Sequence, residues 1–228
     1  MKKFTISLLF LLSLSSVFAL SVKKCDAIEQ EVDHVYFTVG YDEDTECPLY
    51  VIYTLDEDEI ANLRKVPRKE VENFKSDESI RTGSAHEKDY KDSGYDKGHL
   101  FPFLHASFNE DAGRLSFLMS NMCPQGHYTN RQAWMNYEKN IAALAADYGP
   151  VERVCGPVFY KDRTPRYIGK ANKVRVPDAL YSIISYNKNG EKTIECIIMS
   201  NVQDKADLVV DVVKIEDIEK LTGIDFEE

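Results

Sequence analysis

Trp134-Met135-Asn136-Tyr137-Glu138-Lys139-Asn140-Ile141-Ala142-Ala143-Leu144-Ala145-Ala146-Asp147-Tyr148-Gly149-Pro150 is the stretch on which the fold turns. Trp134, Tyr137, Ile141, Leu144 and Tyr148 recur at steps of three and four, the spacing of one helical face. Gly149-Pro150 stops the helix, and Asn130 lies at its expected start. Around this helix the chain is strand-like. Residues 35–39 and 49–55 are rich in Val, Ile and Tyr. Leu115, Phe117 and Met119 alternate with Ser116, Leu118 and Ser120, which predicts a half-buried strand. Residues 151–160, 180–186 and 193–200 are further strands, and Asn187-Lys188-Asn189-Gly190 is a hairpin turn between the last two. One dominant helix among strands, without βαβ alternation, predicts an α+β fold: a central antiparallel sheet with flanking helices.

Two smaller features complete the pattern. Residues 56–65 predict a short helix, with Asp56 as its cap and Glu59 in capping-box position. Residues 76–94 are polar, carry Gly83 and Gly94, and predict a long loop, a length usually tied to function in folded domains.

The chain has 228 residues, 43% hydrophobic and 11% aromatic, which supports one domain with a sizeable core and excludes wholesale disorder. Residues 1–19 stand apart. Lys2 and Lys3 precede an apolar run, and Val17-Phe18-Ala19 offers a cleavage site. This predicts a signal peptide over 1–19, a single domain over 20–228, and a secreted or extracytoplasmic protein with no stable membrane association after cleavage. A membrane anchor is the competing reading, but the run is short and broken by Ser13, Ser15 and Ser16. In an oxidising compartment, four of Cys25, Cys47, Cys123, Cys155 and Cys196 would pair as disulfides.

The formal net charge is −10, which opposes a polyanionic ligand. The charge is unevenly placed. Residues 26–46 and 204–228 are acidic, whereas Lys161, Arg163, Arg166, Lys170, Lys173 and Arg175 face only Asp162 within their segment. Arg64, Lys65, Arg68 and Lys69 form a second basic cluster. Such clusters are either solvated faces or a groove for phosphates.

Chemistry is concentrated in the middle of the chain. His99, in Asp96-Lys97-Gly98-His99, lies between a glycine and Leu100-Phe101-Pro102, and a histidine fixed in this way suits a general base. A surface histidine on a turn is the plainer reading of the tetrapeptide alone. Asn130 and Glu138 are eight residues apart, about 80° around a regular helix after whole turns. They can flank one site and offer hard oxygen ligands suited to Mg²⁺. Their plainer reading is a helix cap and a solvated carboxylate. Asn121, in Ser120-Asn121-Met122-Cys123-Pro124-Gln125, either meets a phosphate or supports the loop. His105 and His127 are candidate zinc ligands, but neither has H-x-x-x-H spacing with His99.

Taken in order, Ser93-Gly94-Tyr95-Asp96-Lys97-Gly98-His99-Leu100, Ser120-Asn121-Met122-Cys123-Pro124-Gln125 and Asn130-Arg131-Gln132-Ala133-Trp134 with Glu138 resemble the DNA/RNA non-specific endonucleases, the ββα-metal nucleases of endonuclease G type. Residues 50–55, Cys155-Gly156-Pro157-Val158-Phe159, Val176-Pro177-Asp178 and Leu221-Thr222-Gly223-Ile224-Asp225-Phe226 extend the resemblance over most of the chain. It implies a ββα-metal motif within the α+β fold and a Mg²⁺-dependent endonuclease, with Mn²⁺ as an alternative ion. The substrate would be DNA, RNA or both, the products would carry 5′-phosphates, and a homodimer is a possible assembly.

The resemblance also implies roles. His99 matches the general base, Asn130 the side chain on the metal and Glu138 the carboxylate that holds the ion's waters. Asn121 matches the asparagine that supports the site, and Lys97 stands in the catalytic motif. Two departures bear on phosphate clamping. Lys97 replaces the usual arginine, which removes bidentate geometry. Glu72 stands near the usual arginine before the aromatic-x-x-Asp segment, Phe74-Lys75-Ser76-Asp77, with Arg68 as a possible substitute. A catalytically weak or inactive nucleic-acid-binding module of the same fold is the alternative, and the presence of His99, Asn130 and Glu138 favours the enzyme.

Overall fold

Alternating side chains along a few long strands divide the molecule into two packed faces. The computed structural model describes residues 20–227, and the leader expected over 1–19 lies outside them. The described residues open with β1 (Ser21–Cys25), β2 (Gln30–Asp33), β3 (Thr38–Asp42) and β4 (Cys47–Leu55), followed by short helices α1 (Glu57–Ala61), α2 (Arg68–Val71) and α3 (Glu87–Tyr90). The central part comprises β5 (Asp96–His99), α4 (Phe103–Ala106), α5 (Glu110–Leu115), β6 (Met122–Gln125) and α6 (Met135–Tyr148). Then come β7 (Val151–Val158), β8 (Tyr167–Ile168), β9 (Val174–Arg175), β10 (Ala179–Lys188), β11 (Glu191–Ser200), β12 (Val210–Val213), α7 (Ile215–Thr222) and β13 (Ile224–Glu227).

Seven strands form one sheet in the order β12-β11-β10-β7-β4-β3-β2, every neighbouring pair antiparallel. This is the predicted central antiparallel sheet. The β10–β11 hairpin turns on Asn189 and Gly190, both at positive φ (56° and 93°), as a two-residue turn matched to strand twist requires. On one face, Val39, Tyr41, Val51, Tyr53, Cys155, Leu180 and Met199 pack against Leu100, Phe101, Met122 and Trp134. On the other, Tyr50, Val154, Tyr181, Ile183 and Ile198 pack against Leu20, Ile218, Ile224 and Phe226 from the β1–β13 ribbon and α7. Helix α6 seals the first face with Ile141 and Ala145 over Leu55, Val151 and Ile184. No helix among the described residues is long and apolar enough to cross a membrane.

The capping box of α1 forms as expected, with Asp56 and Glu59 exchanging backbone hydrogen bonds. Residues 76–94 are a loop apart from the single turn of α3. Three expectations fail. Residues 115–120 are not a strand: α5, capped by Asn109, ends at Leu115, and a tight turn at Met119–Asn121 follows. Ser116, Phe117, Leu118, Met119 and Ser120 are all buried, so their alternation does not mark a half-exposed strand. In 35–39, Val35 adopts φ 73° and is 84% exposed, and the strand begins only at Thr38. The two disulfides do not form, because Cys25, Cys47, Cys123 and Cys155 are free thiols. Cys47, Cys123 and Cys155 lie in the core of the first face, whereas Cys25 packs against the second.

Candidate active site

The two strands that precede the helical segment form a small unit docked on the first face. β5 and β6 pair antiparallel, with Asp96 opposite Gln125 and His99 opposite Met122. Gly98 is required by close approach, since a Cβ there would lie 2.1 Å from the buried Gln125 side chain. Its φ is not among the positive ones, so the glycine serves packing and not a left-handed turn. After β6 the chain enters a π-helical turn, Thr129–Trp134, and then α6. Such widened turns collect at functional sites because they re-aim side chains within a helix. Trp134, at 1% exposure, anchors the unit to the sheet.

The regular-helix angle predicted between Asn130 and Glu138 does not apply across the π turn, yet the two residues meet. His99, Asn130 and Glu138 all line one pocket of about 550 Å³, which Arg64, Arg68, Arg131 and Lys139 also border. His99 is held between aromatic edges: the Phe117 ring lies at 5.1 Å and the Phe74 ring at 5.8 Å, both edge-on. Its Nε2 is buried with no hydrogen-bond partner. Burial, followed by the charges of Arg68 and Lys97, pushes its pKa down to about 3. The ring is therefore neutral across the ordinary pH range, with the Nε2 lone pair uncommitted. Glu138 is 7% exposed, and burial pushes its carboxyl up to about 8 against the opposing charges of Arg153 and Lys139. No hydrogen bond from a neighbour lowers it.

Asp96 organises the entrance to the helix. Its carboxylate accepts from Asn130 Nδ2 at 3.0 Å and from Arg131 Nε and Nη2 at 2.8 and 2.7 Å, and it faces His127 Nδ1 at 3.1 Å. With the Asn130 amide nitrogen committed, its oxygen is the atom left to meet a cation. This donor set fits a hard divalent ion: an amide oxygen and a buried carboxylate that receives no hydrogen bond. Among the described residues, no trio of His, Cys, Asp or Glu ligand atoms gathers at His99, as a zinc centre would need.

Two of the predicted residues stand outside the pocket lining. Asn121 is fully buried: its Oδ1 accepts from Phe101 N–H at 2.8 Å, and its Nδ2 donates to the Phe101 and Ser116 carbonyls. It supports the backbone that leaves His99. Lys97 donates to Glu87 at 2.6 Å and lies 4.0 Å from the centre of the Phe74 ring, one of the rings that hold His99. Of the two basic clusters, Arg64 and Arg68 border the site. In the other cluster, Arg163 and Arg166 pair with Asp178 beside a different cavity. Sequence reasoning missed Arg153, which is fully buried on β7 beneath the site. The available signal was a charged pair, Glu152-Arg153, at the start of a strand that is apolar from Val154 onward.

A profile of the DNA/RNA non-specific endonuclease family matches residues 19–228. Nuclease 1, mitochondrial, of Schizosaccharomyces pombe is 30% identical over 212 residues, which cover 86% of this chain and 65% of that protein. The chain thus spans just under two thirds of that relative's length. Endonuclease G, mitochondrial, of Homo sapiens is 29% identical over 203 residues, 83% of this chain and 67% of that protein. The solved EndoG/EndoGI complex contains a chain that superposes with a TM-score of 0.77 at 28% identity, covering 86% of this chain and 84% of that one. The two relatives carry mitochondrial in their names, and this overturns the secreted or extracytoplasmic location expected from residues 1–19. With the strand pair and helix in place, and with a profile match that runs through the whole described chain, this protein belongs to the DNA/RNA non-specific endonuclease family.

Proposed function

We propose that residues 20–228 form a metal-dependent endonuclease that hydrolyses phosphodiester bonds in DNA, RNA or both, with His99 as general base. The observation that carries this reading is the unpartnered Nε2 of His99 in the same pocket as the Asn130 amide and the Glu138 carboxylate. Asn130 and Glu138 are the residues that would hold Mg²⁺, which when bound supplies positive charge against the developing charge on the phosphate and the departing 3′-oxygen.

The remaining steps belong to the chain's own groups. Neutral His99 takes a proton at Nε2 from a water that attacks phosphorus opposite the 3′-oxygen, so the 5′-phosphate stays on the downstream product. The anionic phosphate offsets the charge of Arg68, one of the causes that depress the His99 pKa, and so raises its basicity where the proton is taken. Arg64 and Lys139 bring positive charge to this pocket despite the net charge of −10, beside Arg68 paired with Glu72 and Arg131 paired with Asp96. Asn121 holds the backbone on which His99 is carried.

Purified protein incubated with plasmid and with structured RNA tests the reading. Cleavage in Mg²⁺ that EDTA abolishes, with 5′-phosphate ends, is the expected result. No cleavage of either polymer with any of several divalent ions overturns the proposed activity and leaves a nucleic-acid-binding module.

A further inference from the structure

Beneath the pocket lies a set of buried polar groups for which the hydrolytic scheme above has no use. Arg153 on β7 stands directly opposite Tyr53 on β4 and is fully buried. Its Nε donates to Ser182 Oγ at 3.0 Å and its Nη1 to Tyr53 Oη at 2.9 Å. Tyr53 Oη lies 2.9 Å from His105 Nδ1, and His105 Nε2 lies 2.9 Å from the backbone carbonyl of Glu138.

Donor chemistry gives this chain a single direction. A guanidinium has only donors, so Tyr53 Oη accepts from Arg153 and must pass its own hydrogen onward. A backbone carbonyl only accepts, so His105 Nε2 carries a hydrogen and donates it. Nδ1 is then the acceptor for Tyr53, and His105 is neutral with its proton on Nε2. Every group in the relay has one role, and the last acceptor belongs to Glu138.

The relay also joins the parts that must be kept in register. Tyr53 and Arg153 belong to the sheet, and His105 to α4, which begins four residues after His99. Tyr53 further packs edge-on at 4.8 Å against Phe101 in the segment leaving His99. The Arg153 guanidinium lies 4.8 Å from the centre of the Trp134 ring, where the π turn meets α6, and its Nη2 has no partner. Burying a cation is costly, and hydrogen bonds to its donors offset only part of that cost.

We propose that Arg153, Tyr53 and His105 are positioning residues, a one-directional buried relay that fixes the backbone of Glu138 relative to His99. The inference rests on the reading of Glu138 as part of the metal-holding pair. Tyr53→Phe removes one oxygen from the middle of the relay and keeps the ring. It is expected to weaken Mn²⁺ binding, followed by electron paramagnetic resonance, about tenfold or more, as loss of an outer-sphere support does elsewhere. A similar fall in kcat is expected, with KM for nucleic acid within twofold of wild type. His105→Gln, whose amide can both donate to Glu138 and accept from Tyr53, should keep wild-type Mn²⁺ affinity, whereas His105→Leu should not. That pair decides the matter if Tyr53→Phe fails to fold.

Nitrogen-15 spectra of the wild-type histidines should show His105 as the Nε2–H tautomer, a readout independent of nuclease activity. Mn²⁺ affinity and kcat of Tyr53→Phe within twofold of wild type, or His105 protonated on Nδ1, overturns the relay. A wild type that binds no Mn²⁺ counts against the metal-holding role of Glu138, and the tautomer then still decides the direction of the relay.

Discussion

Glutamine at position 138 will stabilise the metal-free protein, and by more as the pH rises. The Glu138 carboxyl is pushed up to about 8 by burial, whereas in the unfolded chain it titrates near 4.5. A group whose folded pKa is raised stabilises fully below its unfolded pKa and loses that contribution as pH climbs towards the folded one. The contribution of this one carboxyl to the wild type's stability therefore falls progressively between these values. From pH 5 to pH 8 the penalty grows by about 3.5 kcal/mol, at 1.36 kcal/mol per pKa unit of difference. Glu138→Gln keeps the shape and does not titrate, so the difference between the two proteins isolates this group. Urea unfolding in EDTA at pH 5, 6, 7 and 8 measures it. The variant's advantage should widen by roughly 3–4 kcal/mol over that range, a large share of a typical total of about 5–15 kcal/mol. Added Mg²⁺ should stabilise the wild type and leave the variant unchanged. If the two pH profiles run parallel, burial does not hold this carboxyl neutral and the reasoning fails.

Acid should act through the buried histidines. His99 and His105 are both pushed down to about 3, mainly by burial. Their neutral forms stabilise fully above the unfolded value of 6.5, and this contribution is lost as pH falls towards 3. At pH 5 each should cost about 2 kcal/mol, and His105→Gln should remove one share from a pH series of Tm. Asp96→Ala frees the Asn130 amide and Arg131, so the Mg²⁺ concentration for half-maximal rate should rise about 10–100-fold in a metal titration. Glu87→Gln releases Lys97 from a half-exposed ion pair, and stability should change by less than about 1 kcal/mol. KM for DNA should fall a few-fold in low salt, and the gain should vanish as salt screens the lysine.

Much of this architecture was legible because it rests on short-range rules. The period of Trp134, Tyr137 and Ile141, the Asn189-Gly190 turn and the Asp56–Glu59 box each follow from local chemistry, and the antiparallel sheet follows from their arrangement. His99, Asn130 and Glu138 were recognisable as residue types, and the resemblance supplied their order. Their convergence on one pocket depends on the π turn at Thr129–Trp134, which no periodicity of apolar residues announces. Lys97 illustrates a second limit. Its neighbours in sequence are the motif, but its partner Glu87 comes from the α3 turn, in a segment that reads only as a polar loop. The buried relay illustrates a third. Tyr53, His105 and Arg153 lie on three separate elements, and they meet only through the sheet register of Tyr53 against Arg153 and the packing of α4 onto Tyr53. Residues 115–120 do not follow their alternation because Ser116 and Ser120, at the positions expected to face solvent, are buried with Phe117 and Met119.

The reading of His99 as the base is most directly tested by single-turnover cleavage of a plasmid by wild type and His99→Ala at matched, saturating Mg²⁺, with Mn²⁺ affinity measured on both proteins. The rate should fall about 10²–10⁴-fold, the worth of general-base assistance, while Mn²⁺ affinity stays within a few-fold. Full cleavage by His99→Ala would show that the unpartnered Nε2 in this pocket takes no proton from the attacking water.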